Sequence, residues 1–119
     1  MPSAHQLIQT GLLGEALDPG PALIFIADEE MKYLVVNQLA ADVLGYTREE
    51  LLEMRVTDVV RSPTAAAEYD AMMARGELTG SAVLTRKDGS EVAFHYRASR
   101  TRIAKMQFFV AVGFVEDGR

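Results

Sequence analysis

The side chains that could perform catalysis in this chain are few and are scattered along the sequence. The two histidines are His5, in a weakly patterned N-terminal segment, and His95, inside a β-rich run. Neither has a nearby serine or cysteine together with an acid that could orient the imidazole, which nucleophilic catalysis requires. The clustered acids at 28–30 and 49–50 fall at a turn and a helix start, where carboxylates favour solubility and the helix dipole. We therefore predict no catalytic residues and no enzymatic activity.

The lack of cysteine removes a second group of chemistries. With no cysteine in 119 residues, the chain has no disulfides, zinc–thiolate sites, thiol nucleophiles or cysteine-linked chromophores. We predict no metal-ligating residues.

Charge and hydropathy argue against two classes of partner. The chain has 12 basic and 17 acidic residues and a net charge of −5, so it lacks the whole-surface attraction that drives non-specific nucleic-acid binding. We interpret a local basic run, from Arg97 to Lys105, as a solvated strand face. No stretch approaches the roughly 18 apolar residues of a membrane span, and the N-terminus lacks a signal-peptide pattern. We expect a cytoplasmic protein that contacts neither nucleic acid nor membrane directly.

The length and composition predict one domain with a buried core, preceded by an arm. Apolar residues make up 49% and charged residues 24%, which is ordinary for a soluble globular protein. Residues 1–20 are predicted to form an N-terminal helical arm that ends at the two prolines of DPGP. Residues 22–28 and 32–37 are two β-rich runs separated by a short link, which predicts a hairpin.

Residues 37–52, NQLAADVLGYTREELL, predict two short helices joined by a sharp corner. Gly45 can adopt the left-handed conformation that ends a helix. Thr47 can begin the next helix by accepting from the backbone N–H of Glu50, while the Glu50 side chain reaches back, a capping box.

The following segment predicts a third helix, over residues 63–75. Ser62 is suited to the N-cap, Pro63 to the first helical position and Gly76 to the C-terminal stop. Tyr69, Met72 and Met73 then lie on one face of this helix.

From residue 78 onward the pattern predicts three consecutive strands. Asp88-Gly89 is typical of a two-residue type I′ hairpin turn. That turn would place Leu84 opposite Ala93 and Val83 opposite Phe94. We expect Gln107 to point outward on the last strand.

The predicted fold is α+β: a five-stranded antiparallel sheet with short helices packed on one face, plus the N-terminal arm. This order resembles a PAS domain, a sensory and interaction module, over roughly Pro21 to Val115, and we predict the domain itself over residues 21–117. The resemblance rests on the strand that ends in Asp28, on Asn37, on LGYTREELL (44–52) and on RKDGSEV (86–92). One departure is Met31, which stands where the family often has glycine, so we expect a different turn conformation there.

The resemblance also bears on cofactors. Haem-binding relatives use a histidine on the helix before the last three strands, and that helix has none here. Flavin-linked and phenol-type photosensors attach through cysteine, which this chain lacks. Haem and cysteine-linked chromophores are therefore disfavoured, non-covalent flavin remains an alternative, and the cofactor is unknown.

The predicted faces of the sheet give two candidate sites. The first is an apolar interior that could bind a small ligand or could simply be a filled core; its residues are Ile24, Ile26, Val43, Leu44, Tyr69, Met72, Met73, Val83, Phe94, Tyr96, Phe108 and Val110. The second is an interaction surface made by the arm and an apolar strip on the outer sheet face; its residues are Leu7, Ile8, Leu12, Leu13, Leu84, Ala93, Phe109 and Ala111.

The functional prediction is a sensory, signal-transducing module that binds a small apolar ligand and relays its state through dimer or output-domain contacts. The implied partners are a second copy of the chain and an output protein such as a kinase, a cyclase or a transcription regulator. The alternatives are a ligand-free homodimerisation module and a non-covalent flavin-type redox or light sensor.

Overall fold

The structure is a computed structural model that describes residues 3–61, 67, 70–71 and 74–116, with the side chains of 5–7, 10 and 103 also left out of the description. Its elements follow in chain order: α1 Ala4–Leu17, β1 Leu23–Ala27, β2 Tyr33–Val36, α2 Gln38–Leu44, α3 Arg48–Leu52, α4 Val56–Val59, β3 Glu77–Thr85, β4 Glu91–Ile103 and β5 Met106–Val115. Of the helix predicted over 63–75, residues 67, 70–71 and 74–75 are described, and they are helical.

The strands form one five-stranded sheet in the order β2-β1-β5-β4-β3, with every neighbouring pair antiparallel. Helices α2 and α3 pack against β1 and β2, so the sheet has an inner face toward these helices and an outer face away from them. The predicted fold class, including the helical arm, is confirmed.

The hairpin between β3 and β4 differs by one residue from the predicted turn. The Arg86 N–H donates to the carbonyl of Ser90 at 2.7 Å, and the Gly89 N–H donates to the Arg86 carbonyl at 2.9 Å. Gly89 has φ 89°, so the loop is the three-residue type, a type I turn followed by a left-handed residue. Leu84 therefore pairs with Val92 rather than with Ala93.

This one-residue shift reverses the two faces of β3, because strand side chains alternate. Leu84 is buried in the core, whereas Val83 is 40% exposed on the outer face. The prediction that Val83 points inward and Leu84 outward is wrong for this reason.

Strands β1 and β5 also present the opposite faces to those predicted. Leu23, Phe25 and Ala27 are buried, which leaves Ile24 and Ile26 half-buried on the outer face. On β5 the buried residues are Phe109, Ala111 and Gly113. Both strands are apolar at odd and even positions, so alternation alone could not decide which set is inside.

The corrected positions affect both predicted sites. Five residues expected in the interior lie on the outer face: Ile24, Ile26, Val83, Phe108 and Val110. Three residues expected on the outer strip lie in the core: Leu84, Phe109 and Ala111.

The turn between β1 and β2 keeps the left-handed geometry that we expected it to lose. Met31 has φ 67°, in the region that glycine adopts most readily. The Asp28 carboxylate accepts from the N–H groups of Glu30, at 2.8 Å, and Lys32, at 3.0 Å. These bonds to one carboxylate hold the turn around Met31.

Candidate functional site

A buried asparagine joins the arm, the first strand and the first short helix. The Asn37 Oδ1 accepts from the N–H of Ile24 at 3.0 Å and from the N–H of Ala40 at 3.1 Å. Its Nδ2 donates to the carbonyls of Leu17, at 2.7 Å, and Ala22, at 2.8 Å. One amide thus caps α2 and fixes the end of α1 against the start of β1.

An ion pair fastens the same junction to the second short helix. The Arg48 guanidinium pairs with the Asp18 carboxylate and donates through Nε to the Val36 carbonyl at 3.2 Å. The carboxylate also accepts from the N–H of Gln38 at 3.1 Å, and the Asp18 carbonyl accepts from the N–H of Leu39 at 3.2 Å. Asp18, Asn37 and Arg48 form what we call the arm latch.

The corner between α2 and α3 has the predicted geometry. Gly45 is left-handed at φ 80°, and Thr47 and Glu50 form the reciprocal capping box. Leu51 is fully buried beneath it. Because these signals are local, the sequence was sufficient to predict them.

The β3–β4 hairpin closes over this corner. The Arg86 Nε donates to the Val43 carbonyl at 3.0 Å, and the Lys87 N–H donates to the Leu44 carbonyl at 2.9 Å, which satisfies the end of α2. The Lys87 Nζ lies 2.7 Å from a Glu50 carboxylate oxygen. The hydrogen bond from Lys87, together with the backbone N–H of Thr47, lowers the pKa of Glu50 below its ordinary value.

The inner face of the sheet carries a connected series of aromatic rings. Phe25 meets Tyr33 at 5.6 Å and Phe94 edge-on at 5.5 Å, and Phe94 stacks on Tyr96 at 5.4 Å between centroids. Burial, with a smaller effect of the Asp58 carboxylate, raises the pKa of Tyr33. The Tyr33 hydroxyl therefore stays neutral in the physiological range.

The structure brings together only part of the predicted ligand pocket. Leu44 and Phe94 are buried in the core, and Val43 and Tyr96 are partly buried against it. Tyr69, Met72 and Met73 lie outside the described residues. Phe25 was not predicted as a pocket residue, because the opposite face of β1 was expected to be inside. Tyr33 was not predicted, because no inner face was assigned to β2.

The outer face of the sheet carries a continuous apolar surface. Its central part, the outer strip, consists of Ile24, Ile26, Val110, Val112 and Phe114. Phe114 is 61% exposed, and its ring lies 5.4 Å from the His95 imidazole. Ala93 lies on this face, as predicted, and is half-buried.

Helix α1 exposes apolar side chains as well. Ile8, Leu12 and Leu13 are about 60% exposed. The side chain of Leu7 lies outside the described part of the chain. The helix is fixed at its C-terminal end by the arm latch.

Metal-ligating side chains are not clustered within the described ranges. No group of three or more histidine, cysteine, aspartate or glutamate side chains there could hold a metal ion. His95 lies on the outer face, with its Nε2 3.7 Å from a Glu116 carboxylate oxygen. In the same described ranges, no helix is both long and apolar enough to cross a membrane.

Comparison with known proteins agrees with this architecture. A family model described as a PAS domain matches residues 21–117. A PAS domain from a two-component sensor histidine kinase superposes with a TM-score of 0.81 at 14% identity, covering 92% of this chain and 98% of that one. No curated protein matches the chain.

Two further solved structures are similar over nearly the whole chain. The PAS domain of an HTR-like protein from Haloarcula marismortui has a TM-score of 0.82 and 17% identity, with 94% of this chain and 95% of that one covered. A domain of a sensory box sensor histidine kinase/response regulator from Geobacter sulfurreducens has a TM-score of 0.74 and 22% identity, with 93% and 98% covered. At these identities the likeness establishes the fold alone.

Proposed function

The chain belongs to the PAS domain family of sensory and signalling modules, and on that premise we propose that it is a ligand-responsive homodimerisation module. A small apolar molecule binds between the inner face of the sheet and the helices. Its presence changes the position of the arm, and the arm contacts a second copy of the chain. The observation that best supports this proposal is the arm latch, because its three side chains connect the arm directly to the helices that cover the inner face.

The proposed ligand site follows the inner aromatic series. Phe94 and Tyr96 form its sheet side, and Val43 and Leu44 lie at the corner. We keep Tyr69, Met72 and Met73 as the proposed helical side. Tyrosine hydroxyls and adaptable methionines are the mixture that small-molecule pockets use.

The proposed relay runs through the arm latch. A ligand can act only if it has different affinities for two positions of the corner. Because Arg48 is the first residue of α3 and Asp18 follows α1, a shift of α3 changes the geometry of their ion pair. The Asn37 amide, bonded to both α2 and the Leu17 carbonyl, transmits movement of α2 to the same point.

The proposed dimer uses the outer strip and the apolar side of α1. Contiguous exposed apolar surface on a small protein commonly marks an interaction site. Both surfaces belong to one chain, so a second copy supplies a complement for each through a two-fold contact. The exposed Ile8, Leu12 and Leu13 would cover the strip of the partner.

Sedimentation-velocity centrifugation of Phe114→Asp and Leu12→Asp tests the interface. We expect each variant to weaken the dimer at least about tenfold, because a carboxylate would have to be desolvated in an apolar contact. Thr79→Asp, at an exposed position near the sheet edge, is the control and should dimerise like the wild type. A dimer that survives both strip and arm substitutions would contradict the interface.

Native mass spectrometry of freshly purified protein, beside the denatured sample, tests the ligand. An extra mass that is released on denaturation, and that Met72→Trp excludes but Met106→Trp retains, would support the inner site. Met106 is the control because it is 56% exposed on β5. Retention by both variants would show that the molecule binds elsewhere.

The ring packing between Phe25, Phe94 and Tyr96 favours a second candidate, a homodimerisation module with a filled interior. In that case the dimer would carry no extra mass, and its dissociation constant would be unaffected by Met72→Trp. The interface test is the same for both candidates.

A ligand-dependent dimer would be tested further with Asp18→Asn. Asparagine keeps an oxygen for the Gln38 N–H but removes the negative charge that holds Arg48. We expect the dimer to persist while its response to the released ligand becomes smaller. An unchanged response would remove the arm latch from the relay.

A further inference from the structure

The β4–β5 hairpin extends beyond the rest of the sheet. Strand β3 pairs with β4 only as far as Ser99, and β1 pairs with β5 only from Phe109 onward. The pairs Thr101 with Phe108, Arg102 with Gln107 and Ile103 with Met106 continue the hairpin alone. We call residues 100–108 the ribbon; the three additional residue pairs project roughly 10 Å at about 3.4 Å per residue.

The ribbon ends in a turn that the sequence signals did not reveal. Ala104 has φ 50° and Lys105 has φ 71°, which is the pattern of a two-residue type I′ turn built without glycine. The turn holds the Lys105 side chain at the very end of the ribbon. The strand pairing on both sides of it keeps the ribbon a defined structure rather than a loose loop.

Charge is strongly segregated between this hairpin and the rest of the chain. The paired residues of this hairpin, 94–115, contain four of the 12 basic residues and none of the 17 acidic ones. The remaining residues therefore hold eight basic and 17 acidic side chains, so an acidic protein carries one purely cationic hairpin. Mixed charges are the usual composition of a solvated surface.

The cations at the end of the ribbon are not neutralised within the described residues. Arg97, at the base of the hairpin, pairs with Glu77 at 3.4 Å. Arg102 and Lys105 are exposed and take part in none of the ion pairs of the described residues. The nearest acidic turn contributes Glu29, whose carboxylate accepts from the Gln107 N–H at 3.2 Å and so serves the edge of β5.

Apolar surface accompanies these charges. Arg102 lies four residues after the buried Ala98 and so shares its side of β4, whereas Met106 and Phe108 lie on the outer side. Met106 is 56% exposed, and methionine adapts readily to a partner surface. Arg102 and Met106 therefore lie on opposite sides of the ribbon near its tip, with Lys105 in the turn between them, and a ligand that crosses the tip contacts both sides.

We propose that the ribbon is a docking element for an acidic protein segment that also carries apolar side chains. Two or three carboxylates suffice to engage Arg102 and Lys105 by charge-assisted hydrogen bonds. Apolar side chains further along the same segment contact Met106 on the other side of the tip. A nucleic acid fits less well, because tight phosphate binding uses about 6–10 contacts, and the acidic remainder of the chain repels it. The same repulsion disfavours an anionic membrane.

The proposal is separate from the ligand and dimer proposals. Those are tested with substitutions in the arm, the outer strip and the helical side, none of which belongs to the ribbon; the ribbon residue Met106 serves there only as a control. Either set of experiments can therefore fail without the other.

Charge reversal at the ribbon is the decisive experiment. The variant is Arg102→Glu combined with Lys105→Glu, and the control is Lys32→Glu combined with Arg55→Glu, two exposed positions that give the same change in net charge. Any charged side chain protects an exposed strand edge from aggregation. The glutamate substitutions therefore keep charged side chains at the exposed strand edge. They remove only the positive charge that attracts carboxylates.

Fluorescence anisotropy would use a labelled peptide with a run of glutamates followed by a run of leucines, so that one segment can cross the tip of the ribbon. We expect binding that weakens as salt is raised, about tenfold weaker binding for the ribbon variant and unchanged binding for the control. Circular dichroism and sedimentation would verify that both variants keep the fold and association state of the wild type.

Several outcomes would overturn the proposal. No binding of the peptide by the wild-type protein is one, and equal binding of a version with glutamine in place of glutamate is another. Equal loss of binding in the ribbon variant and the control would show a general charge effect. Preferential binding of a single-stranded oligonucleotide or of phosphatidylglycerol vesicles would assign the ribbon to a different class of partner.

Discussion

The two faces of this sheet are built from the same kinds of residue but have opposite surroundings. On β5, Phe109 is 9% exposed and points to the inner face, whereas Phe114 is 61% exposed and points to the outer face. On β1, Phe25 is buried among aromatic rings, while Ile24 and Ile26 are half-buried on the other side.

An apolar pattern along a strand therefore indicates that both faces of the sheet need to be buried. It does not indicate which part of the chain, or which partner, buries each face. Strands that are apolar on both faces are typical of sheets covered on both sides. Within the described residues, the helices cover one face here and leave the outer strip exposed. The second cover must then come from the arm or from another molecule, which is the physical basis for the proposed dimer.

The sharpest test of the comparison is the same substitution on the two faces. We expect Phe109→Ala to lower the free energy of unfolding by about 3–4 kcal/mol, because it removes a buried ring and leaves a cavity. Phe114→Ala should change the intrinsic stability of one chain by less than about 1 kcal/mol. Urea denaturation at low protein concentration measures both values.

The dependence of the unfolding midpoint on protein concentration gives a second way to compare Phe109→Ala with Phe114→Ala. If the outer strip binds a second copy, the wild-type unfolding midpoint will rise with protein concentration, since association stabilises the folded state. Phe114→Ala should lose that dependence, and Phe109→Ala should keep it at a lower midpoint. Similar losses of stability in the two variants would contradict the assignment of the faces.

A smaller loss is expected at the arm latch. Asn37→Ala leaves the amides of Ile24 and Ala40 and the carbonyls of Leu17 and Ala22 without the partner they have now. We expect the free energy of unfolding to fall by about 2–3 kcal/mol, because unsatisfied buried groups are costly. Thermal and urea unfolding would measure the change.

Gln38→Ala is the matched control for Asn37→Ala. The Gln38 side chain bonds only to the exposed Asp42 carboxylate among the described contacts, at 2.8 Å. Its removal should change stability by about 0.5 kcal/mol or less. A comparable effect at the two adjacent positions would mean that the buried amide does not organise the junction.

The sequence was sufficient for local features and insufficient for the inner and outer faces of β1, β3 and β5. Gly45, Thr47 and Glu50 specify the corner through contacts within one turn of helix, so the residues themselves encode it. Asp88-Gly89 is compatible with a two-residue turn and with the observed three-residue loop, and these differ by one residue in register. This one-residue difference in register places Leu84 in the core and Val83 on the outer face.

The sequence pattern also could not predict the long-range polar contacts. Gln107 suggested an outward face for its position, but it lies on the ribbon, past the edge of the core, where polarity does not report the inner or outer face. The pairing of Asp18 with Arg48 joins residues 30 positions apart, and no local pattern signals it. In the sequence, this ion pair is represented only by an acid directly after α1 and an arginine at the start of α3.

The smallest expected effect concerns the rim of the inner face, where Lys87 meets Glu50. The pKa of Glu50 is lowered in the folded state, so folding favours the ionised carboxylate. This contribution is present above the ordinary glutamate pKa of about 4.3 and is lost as the pH falls through the lowered value. The attraction between Lys87 and Glu50 should therefore exist at neutral pH and vanish in acid.

A double-mutant cycle isolates that attraction from the other contacts of Lys87. Lys87→Met also removes the cation that lies 5.9 Å from the Tyr46 ring centroid, but this loss cancels when Lys87→Met and Glu50→Gln are compared singly and together. We expect a small favourable coupling near neutral pH and none at a pH well below 4, from urea denaturation at each pH. A coupling that persisted in acid would show that the two side chains interact by packing rather than by charge, and that the hairpin closes the corner without help from the ion pair.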